Sequence, residues 1–383
     1  MEYTTIGESC SVVSGGTPSR SKTEYWRNGT IPWIKIGNIK SKYVNEYDEL
    51  ITEQGLNNSS AKLLKKGTIL YTIFATLGEV GILDTEACTN QAIAGININD
   101  PRITTDYLYY YLKSKKDYVN NIGRGVAQNN INLTALKKFE IPLINVDKQL
   151  YIVEVLEKVE RMIGLKKKEI DDLDLLIKAR FVEMFGDPGS NEKEWKMNTF
   201  RDICTVRQGL QIPISDRLKH YEDDCYEYIT VQYLHGGKDR EYIKNPKSSV
   251  ICTKNDILMT RTGNTGMVIT GVEGVFHNNF FLIDFDRSRY DKDFLMQYLK
   301  LDIIQADILR RAGTSTIPDL NHGEFYKINV FLPPIELQEQ FSVFVQQVDK
   351  SKFRDFISHK HDKYHQYKLV VLLLYIFILS YLM

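Results

Sequence analysis

From Ile152 to Met184 the side chains Ile152, Leu156, Val159, Ile163, Lys166, Ile170, Leu173, Ile177, Arg180 and Met184 follow a 4-3-4-3 spacing, and only Lys166 and Arg180 interrupt the apolar stripe. That is a heptad seam, and it predicts a long helix of the coiled-coil kind. Gly186-Asp187-Pro188-Gly189 ends it. A helix from Asp147 to Phe185 is roughly 58 Å long at about 1.5 Å per residue. Elsewhere the pattern is different. Short apolar runs rich in Ile, Val, Thr and Tyr are punctuated by Gly and Asn, which predicts twisted strands. "DYLYYYLKS" from Asp106 and "DFLMQYLKL" from Asp293 predict short helices.

These runs repeat. "GRGVAQNNINLTALKKFEIPL" (Gly123 to Leu143) is echoed 189 residues later by "AGTSTIPDLNHGEFYKINVFL" (Ala312 to Leu332), aligning Asn132 with Asn321 and Lys138 with Lys327. "KKGTILYTIFATLGEVGIL" (65–83) matches "CTKNDILMTRTGNTGMVIT" (252–270) at an offset of 188, and "TNQAIAGIN" (89–97) matches "HNNFFLIDF" (277–285) at the same offset. Ordered segments at a nearly constant offset mean an internal duplication. The predicted architecture is α+β: two units of mixed, strongly twisted β-sheet with short helices, each followed by a long helix. The divisions expected are 1–146, 147–189 (first long helix), 190–335 and 336–383 (second long helix).

Composition narrows the chemistry. The five cysteines Cys10, Cys88, Cys204, Cys225 and Cys252 form no CxxC pair and no zinc-finger spacing, which predicts reduced thiols and a cytoplasmic protein. The start "MEYTTIGESC" has neither a basic n-region nor an apolar run, so no signal peptide is expected. Net charge is zero, with 16 basic and 14 acidic residues in 1–146 and 17 and 18 in 198–335. Nucleic-acid affinity rests largely on Lys and Arg against phosphate. A DNA-facing surface must therefore be a local patch or be completed by a partner.

No catalytic motif emerges. There is no P-loop and no NPPY-like tetrapeptide, and "LPPI" at 332–335 lacks the polar first residue. Pro318-Asp319 followed by Glu324 and Lys327 has a nuclease-like flavour, but it reads ExxK and the spacing is too short; a turn before a strand is the better account. His359, His361 and His365 have metal-ligand spacing, yet exposed histidines are the better account.

Two diverged units, each ending in a long helix, resemble the specificity (S) subunit of type I restriction-modification systems. The resemblance rests on "SGGTPSR" (14–20), "IPWIKIGNI" (31–39), "KGTILYT" (66–72), "TNQAIAGI" (89–96), "NINLTALKKFEIPL" (130–143) and "LIKARFVEMFGDP" (176–188). In the second half it rests on "NDILMTRTGNTG" (255–266), "HNNFFLI" (277–283), "STIPDLN" (315–321) and "LPPIELQEQF" (332–341). It implies a non-catalytic, sequence-specific DNA-binding subunit with two target-recognition domains, joined by helices that pair as an antiparallel coiled coil. It also implies a bipartite, asymmetric double-stranded DNA target, two methyltransferase subunits and restriction (translocase) subunits as partners. No cofactor is expected in this chain, since S-adenosylmethionine, ATP and Mg would belong to the partners, and no metal site or membrane contact is expected.

Base edges call for Arg or Lys at guanine and Asn or Gln at adenine. The candidates in the first unit are Ser19, Arg20, Lys35, Asn38, Arg124 and Gln128, with Gly15 and Gly16 permitting close backbone approach. In the second they are Arg207, Gln208, Gln211, Gln232, Tyr233, Arg261, Asn264 and Arg311. Asn90 and Asn278 occur in both units, so they are expected to form turns or touch phosphate. The C-terminus departs from the family pattern. Phe341, Val345 and Val348 keep the seam, but Lys352, Asp355, His359, Asp362 and Gln366 follow, and the chain ends in "LVVLLLYIFILSYLM" (369–383). The expectation is a second helix that diverges, slips or frays after Val348, through truncation or a frame shift. The rival readings are a scaffold anchored at a membrane by that tail and a self-contained nuclease-methyltransferase.

Overall fold

The first strand of each half is hydrogen-bonded to the last strand before the long helix of the same half. Glu2–Thr5 runs antiparallel to Glu140–Leu143, with Glu2 opposite Leu143. Lys196–Thr199 runs antiparallel to Asn329–Leu332, with Lys196 opposite Leu332. A one-turn helix follows in both, Ile6–Ser9 and Phe200–Ile203, each started by a capping box: Thr5 with Glu8 and Thr199 with Asp202. The computed structural model describes residues 2–123, 130–234, 240–313 and 318–357. Its described residues divide into two units, one up to Ile163 and one from Gly164 onward.

Besides that strand pair each unit holds two sheets; three of the four contain a parallel pair, and the larger sheet of the second unit is antiparallel throughout. In the first, the strand order is Cys10–Ser14, Ile93–Ile98, Ile69–Thr72, Val80–Leu83 and Tyr43–Val44. The counterpart in the second is Cys204–Gln208, Phe280–Phe285, Ile257–Thr260 and Val268–Ile269. A smaller sheet accompanies each. Ile31–Ile34 lies between Glu49–Ile51 and a parallel strand Cys88–Thr89. Cys225–Ile229 lies between Tyr242–Lys244 and a parallel strand Gly274–Phe276.

The central strands "ILYT" and "ILMT" are buried throughout. Successive side chains of a strand face opposite ways. Accordingly Ile69 and Tyr71 enter one core with the short helix Thr105–Ser114, while Leu70 enters another with Ile34, Leu83 and Ile93. Ile257 and Met259 likewise part from Leu258. Burying each such aliphatic side chain contributes about 1.5–3 kcal/mol. The hairpin after each central strand turns on a glycine with positive φ, Gly78 at 79° and Gly266 at 88°. Their amides bond back to Thr72 O at 3.0 Å and Thr260 O at 2.9 Å.

The long helix spans Val146–Phe185 and passes through the division between the units. Every one of the ten seam positions from Ile152 to Met184 is buried or half-buried, so the heptad stripe is the inward face. Gly186, at φ 80°, ends it. The second long helix, Ile335–Ile357, packs antiparallel on the 164–185 portion. Phe341 meets the rings of Phe181 and Phe185, each at 5.4 Å between centroids. Further along, Phe344 lies under the Arg180 guanidinium, and Lys352 donates to Asp174 at 2.6 Å.

That last pair corrects one expectation. The seam does not end at Val348: Lys352, 18% exposed, is retained in the helix pair because Asp174 and Asp349 both bind its ammonium. A charge that brings its partners need not be expelled. The remaining polar seam positions, the three tail histidines and the apolar segment 369–383 lie outside the described residues or their described side chains.

Candidate nucleic-acid interface

The loop that leaves the first core strand is laced to the sheets in the same way in both units. Gly15 N bonds to Ile93 O at 3.1 Å and Gly16 N to Thr89 O at 2.8 Å; Gly209 N bonds to Phe280 O at 3.2 Å and Leu210 N to Phe276 O at 3.1 Å. One aromatic side chain in each small sheet fastens this loop. Trp33 Nε1 donates to Gly16 O at 2.9 Å, and Tyr228 OH donates to Leu210 O at 2.8 Å. Gly15 and Gly16 are buried. A Cβ on Gly15 would collide with Thr89 and Asn90, and one on Gly16 with Ser60 and Ala61. Their close approach is thus to the chain's own backbone.

A cation–carboxylate cluster lies beside each aromatic. In the first unit the Arg20 guanidinium stacks 3.6 Å from the Trp26 centroid and 4.9 Å from that of Trp33. It pairs with Glu49, which also takes Lys35 Nζ at 2.8 Å. Asn38 is buried; its carbonyl accepts Lys35 N at 2.8 Å and its amide reaches Asp48 at 3.2 Å. In the second unit Arg217 lies 5.0 Å from the Tyr228 centroid and donates to Glu241 at 2.8 Å, while Lys219 reaches the same carboxylate at 2.7 Å. Glu49 sits opposite Trp33 across the strand pair. Glu241 takes the matching place, its carbonyl accepting Tyr228 N at 2.8 Å. The Arg20 hydrogen bond holds the Glu49 carboxyl below the usual range. Burial would raise that of Glu241, but Lys219 and Arg217 lower it on balance.

The second unit adds a polar network. Gln208 Nε2 donates to Asn278 O at 2.6 Å, and Asn278 Nδ2 donates to Gln211 at 3.3 Å. Arg261 donates to Gln208 Oε1 at 3.3 Å and grips Asp319 through Nε at 2.8 Å and a terminal nitrogen at 2.7 Å. The structure therefore gathers Gln208, Gln211, Arg261 and Asn278. Ile73 and Asn130 occupy the matching sites in the first unit, as the bridges Phe74–Asn130 and Thr262–Asp319 establish.

The other candidates scatter. Ser19 is exposed and bonded to Ser21. Asn90 caps a turn, accepting Ala92 N at 3.2 Å. Arg207 donates to Ser249 O at 3.3 Å, with Asp284 at 3.9 Å. Gln232 is exposed. Tyr233 donates to Glu227 at 2.6 Å, and burial followed by that carboxylate pushes its phenol up to about 12. Asn264 is exposed beside Met267. Arg311 is held by Asp307 at 2.7 Å and Glu324 at 3.4 Å. Arg124 and Gln128 lie outside the described residues. Asp319 and Glu324 thus serve separate ion pairs, as a nuclease pair would not. Among the described residues no His, Cys, Asp and Glu side chains gather into a metal-holding group. No described helix is long and apolar enough to cross a membrane.

Glu49, Glu241, Arg217 and Lys219 escaped the sequence reading. The two clusters draw on loops of unequal length, and only strand register aligns them.

Comparison with known proteins agrees with this duplicated frame. The family model for the type I restriction modification DNA specificity domain matches the chain twice, over residues 1–175 and 192–356. The chain is 27% identical over 375 residues to the type I restriction enzyme MjaIX specificity subunit of Methanocaldococcus jannaschii, covering 89% of this chain and 84% of that protein. The crystal structure of the type I system S subunit from M. genitalium superimposes with a TM-score of 0.51 at 16% identity, covering 97% of this chain and 93% of that one. A chain from a structure concerned with complex assembly and conformational transition of the type I system gives 0.55 at 15%, covering 96% of both. At those identities the two structures speak for the fold alone. With its two matched domains, the chain belongs to the type I restriction-modification DNA specificity family, as a specificity subunit.

Proposed function

We propose that this specificity subunit reads a bipartite, asymmetric double-stranded DNA target, one half per unit, and performs no chemistry itself. It would carry two methyltransferase subunits and, through the assembled complex, restriction subunits. S-adenosylmethionine, ATP and Mg would bind those partners, in the cytoplasm. The supporting observation is that one frame bears different side chains at matching sites. Ile73 and Asn130 in the first unit stand where Arg261 and Asp319 stand in the second. Equal frames with unequal surfaces suit two different half-sites.

Arg261 is the proposed guanine reader. A guanidinium has five N–H donors, and its three bonds to Asp319 and Gln208 employ three of them. Two donors remain, the number a guanine edge takes through O6 and N7. Asp319 would hold the fork in place. Ser19, Gln211, Gln232 and Asn264, all exposed, are the proposed polar contacts around it and at the other half-site. Asn90 and Asn278, common to both units, are assigned to turns or phosphate.

Replacing residues 1–146 with the same region of a relative tests this reading. Methylation-aware sequencing of cells carrying the hybrid should show one half of the modified motif changed and the other retained. A change in both halves, or in neither, contradicts reading by separate units.

A further inference from the structure

Gln149 and Gln338 are both 0% exposed. Each stands near the start of a long helix, and they are 189 residues apart in the duplication. A buried primary amide must find partners for its donors and acceptor or pay a penalty. Both find the same ones. Gln149 Nε2 donates to Ile144 O at 2.9 Å and Arg102 O at 2.6 Å, and its oxygen accepts Thr104 N at 2.9 Å. Gln338 Nε2 donates to Pro333 O at 2.9 Å and Arg289 O at 3.1 Å, and its oxygen accepts Asp291 N at 2.9 Å. Thr104 Oγ1 adds a further bond to Gln149 at 3.2 Å.

The bonded groups have a common placement. Ile144 and Pro333 precede the long helix. Thr104 and Asp291 are the N-cap residues of the short helices Thr105–Ser114 and Lys292–Lys300, which pack on the core sheets. One side chain therefore ties the start of each long helix to the start of a helix embedded in the recognition module. Its neighbours diverge: "NVDKQLYIV" in the first unit becomes "PIELQEQFS" in the second. What the duplication retained is the tie itself.

We infer that Gln149 and Gln338 are positioning residues that lock each recognition module to its long helix, and so set how strictly the protein discriminates the length of the spacer between half-sites. This rests on the bipartite reading proposed above. Inserting one base pair moves a half-site by about 3.4 Å along the duplex and turns it by about 35°, given 10–10.5 base pairs per turn. A joint with play tolerates that displacement, whereas a locked one does not. Three hydrogen bonds in unlike directions remove both swing and twist.

The test uses the complete complex with its methyltransferase subunits and three duplexes: the natural target and versions with the spacer one base pair longer or shorter. The variants are Gln149→Met and Gln338→Met, which keep volume and delete the amide, and Thr104→Val, which removes a single bond. For wild type the altered spacers should bind at least about tenfold more weakly, the scale of a defective site. In the Met variants binding to the natural spacer should stay within about threefold while the preference over altered spacers collapses to about threefold or less. Thr104→Val should fall between. Parallel loss on all three duplexes, with the preference intact, would mean that the glutamines serve stability only and overturns the inference. If the Met variants do not assemble, an unchanged preference in Thr104→Val overturns it equally. A wild-type complex indifferent to spacer length sinks the bipartite reading instead.

Discussion

Arg261 and Asp319 show what a single pair of residues contributes at two levels. As an ion pair with side chains 26% and 45% exposed, they should couple weakly for folding, about 0.2–1 kcal/mol in a double-mutant cycle. For DNA the pair should matter more. Arg261→Ala should cost about 1–3 kcal/mol of binding and relax one position of the second half-site. Asp319→Ala should relax the same position while leaving the arginine present. Equal weakening on every sequence would assign Arg261 to phosphate. The pair also has a pH signature. The Arg261 hydrogen bond holds the Asp319 carboxyl below its ordinary value. Its stabilisation is therefore complete above the unfolded value, ~3.9, and is lost as pH falls through the lower folded one. Denaturation of wild type and Asp319→Asn should differ near neutrality and converge in that acid range. The arginine was legible in the sequence because "MTRTGNTG" sets it against Ile73 in the other copy. Its holder was not, since Asp319 is 58 residues away and only the Thr262–Asp319 bridge brings it near.

At the scale of elements, the helix pair in the second unit rests on aromatic packing more than on charge. Phe341 is 0% exposed between Phe181 and Phe185. Phe341→Ala should destabilise the chain by about 3–5 kcal/mol. Lys352→Ala opens an ion pair whose Asp174 is well exposed, and should cost less than about 1 kcal/mol. Chemical denaturation of both variants measures the difference; a Lys352 effect as large as that of Phe341 would reverse the ranking. The first long helix could be read in advance because it repeats one period for many residues, and the strands because short apolar runs are punctuated by Gly and Asn. The fate of Lys352 could not. The heptad pattern marks it as a misfit, and the acidic partner that keeps it in place sits on the other helix. Gln149 and Gln338 were missed for a related reason: a glutamine inside a helix has no periodic signal, and two of the three backbone groups that give it value lie 45 to 49 residues away.

For the molecule as a whole, the proposed function gives the duplicated modules and the helices separate tasks. Outside the seam, Met162, Leu165 and Leu175 are 65%, 61% and 64% exposed. Apolar side chains set on a charged helix are candidates for a partner's contact. Met162→Glu or Leu165→Glu should reduce stoichiometric co-purification with the methyltransferase while leaving the denaturation midpoint of the isolated chain unchanged. Retained stoichiometry in both variants would remove this face from the assembly. The pairing of each opening strand with the final strand of its own half has a consequence for inheritance. Paired strands run about 4.7–4.9 Å apart, so a module begins and ends at almost one point in space. Two crossovers in the gene, one at either end of such a stretch, would lift out a whole reader and set another in its place without altering the path of the chain on either side. New target sequences can then arise in one genetic event, from parts already selected to fold, instead of through a series of substitutions that must each preserve function.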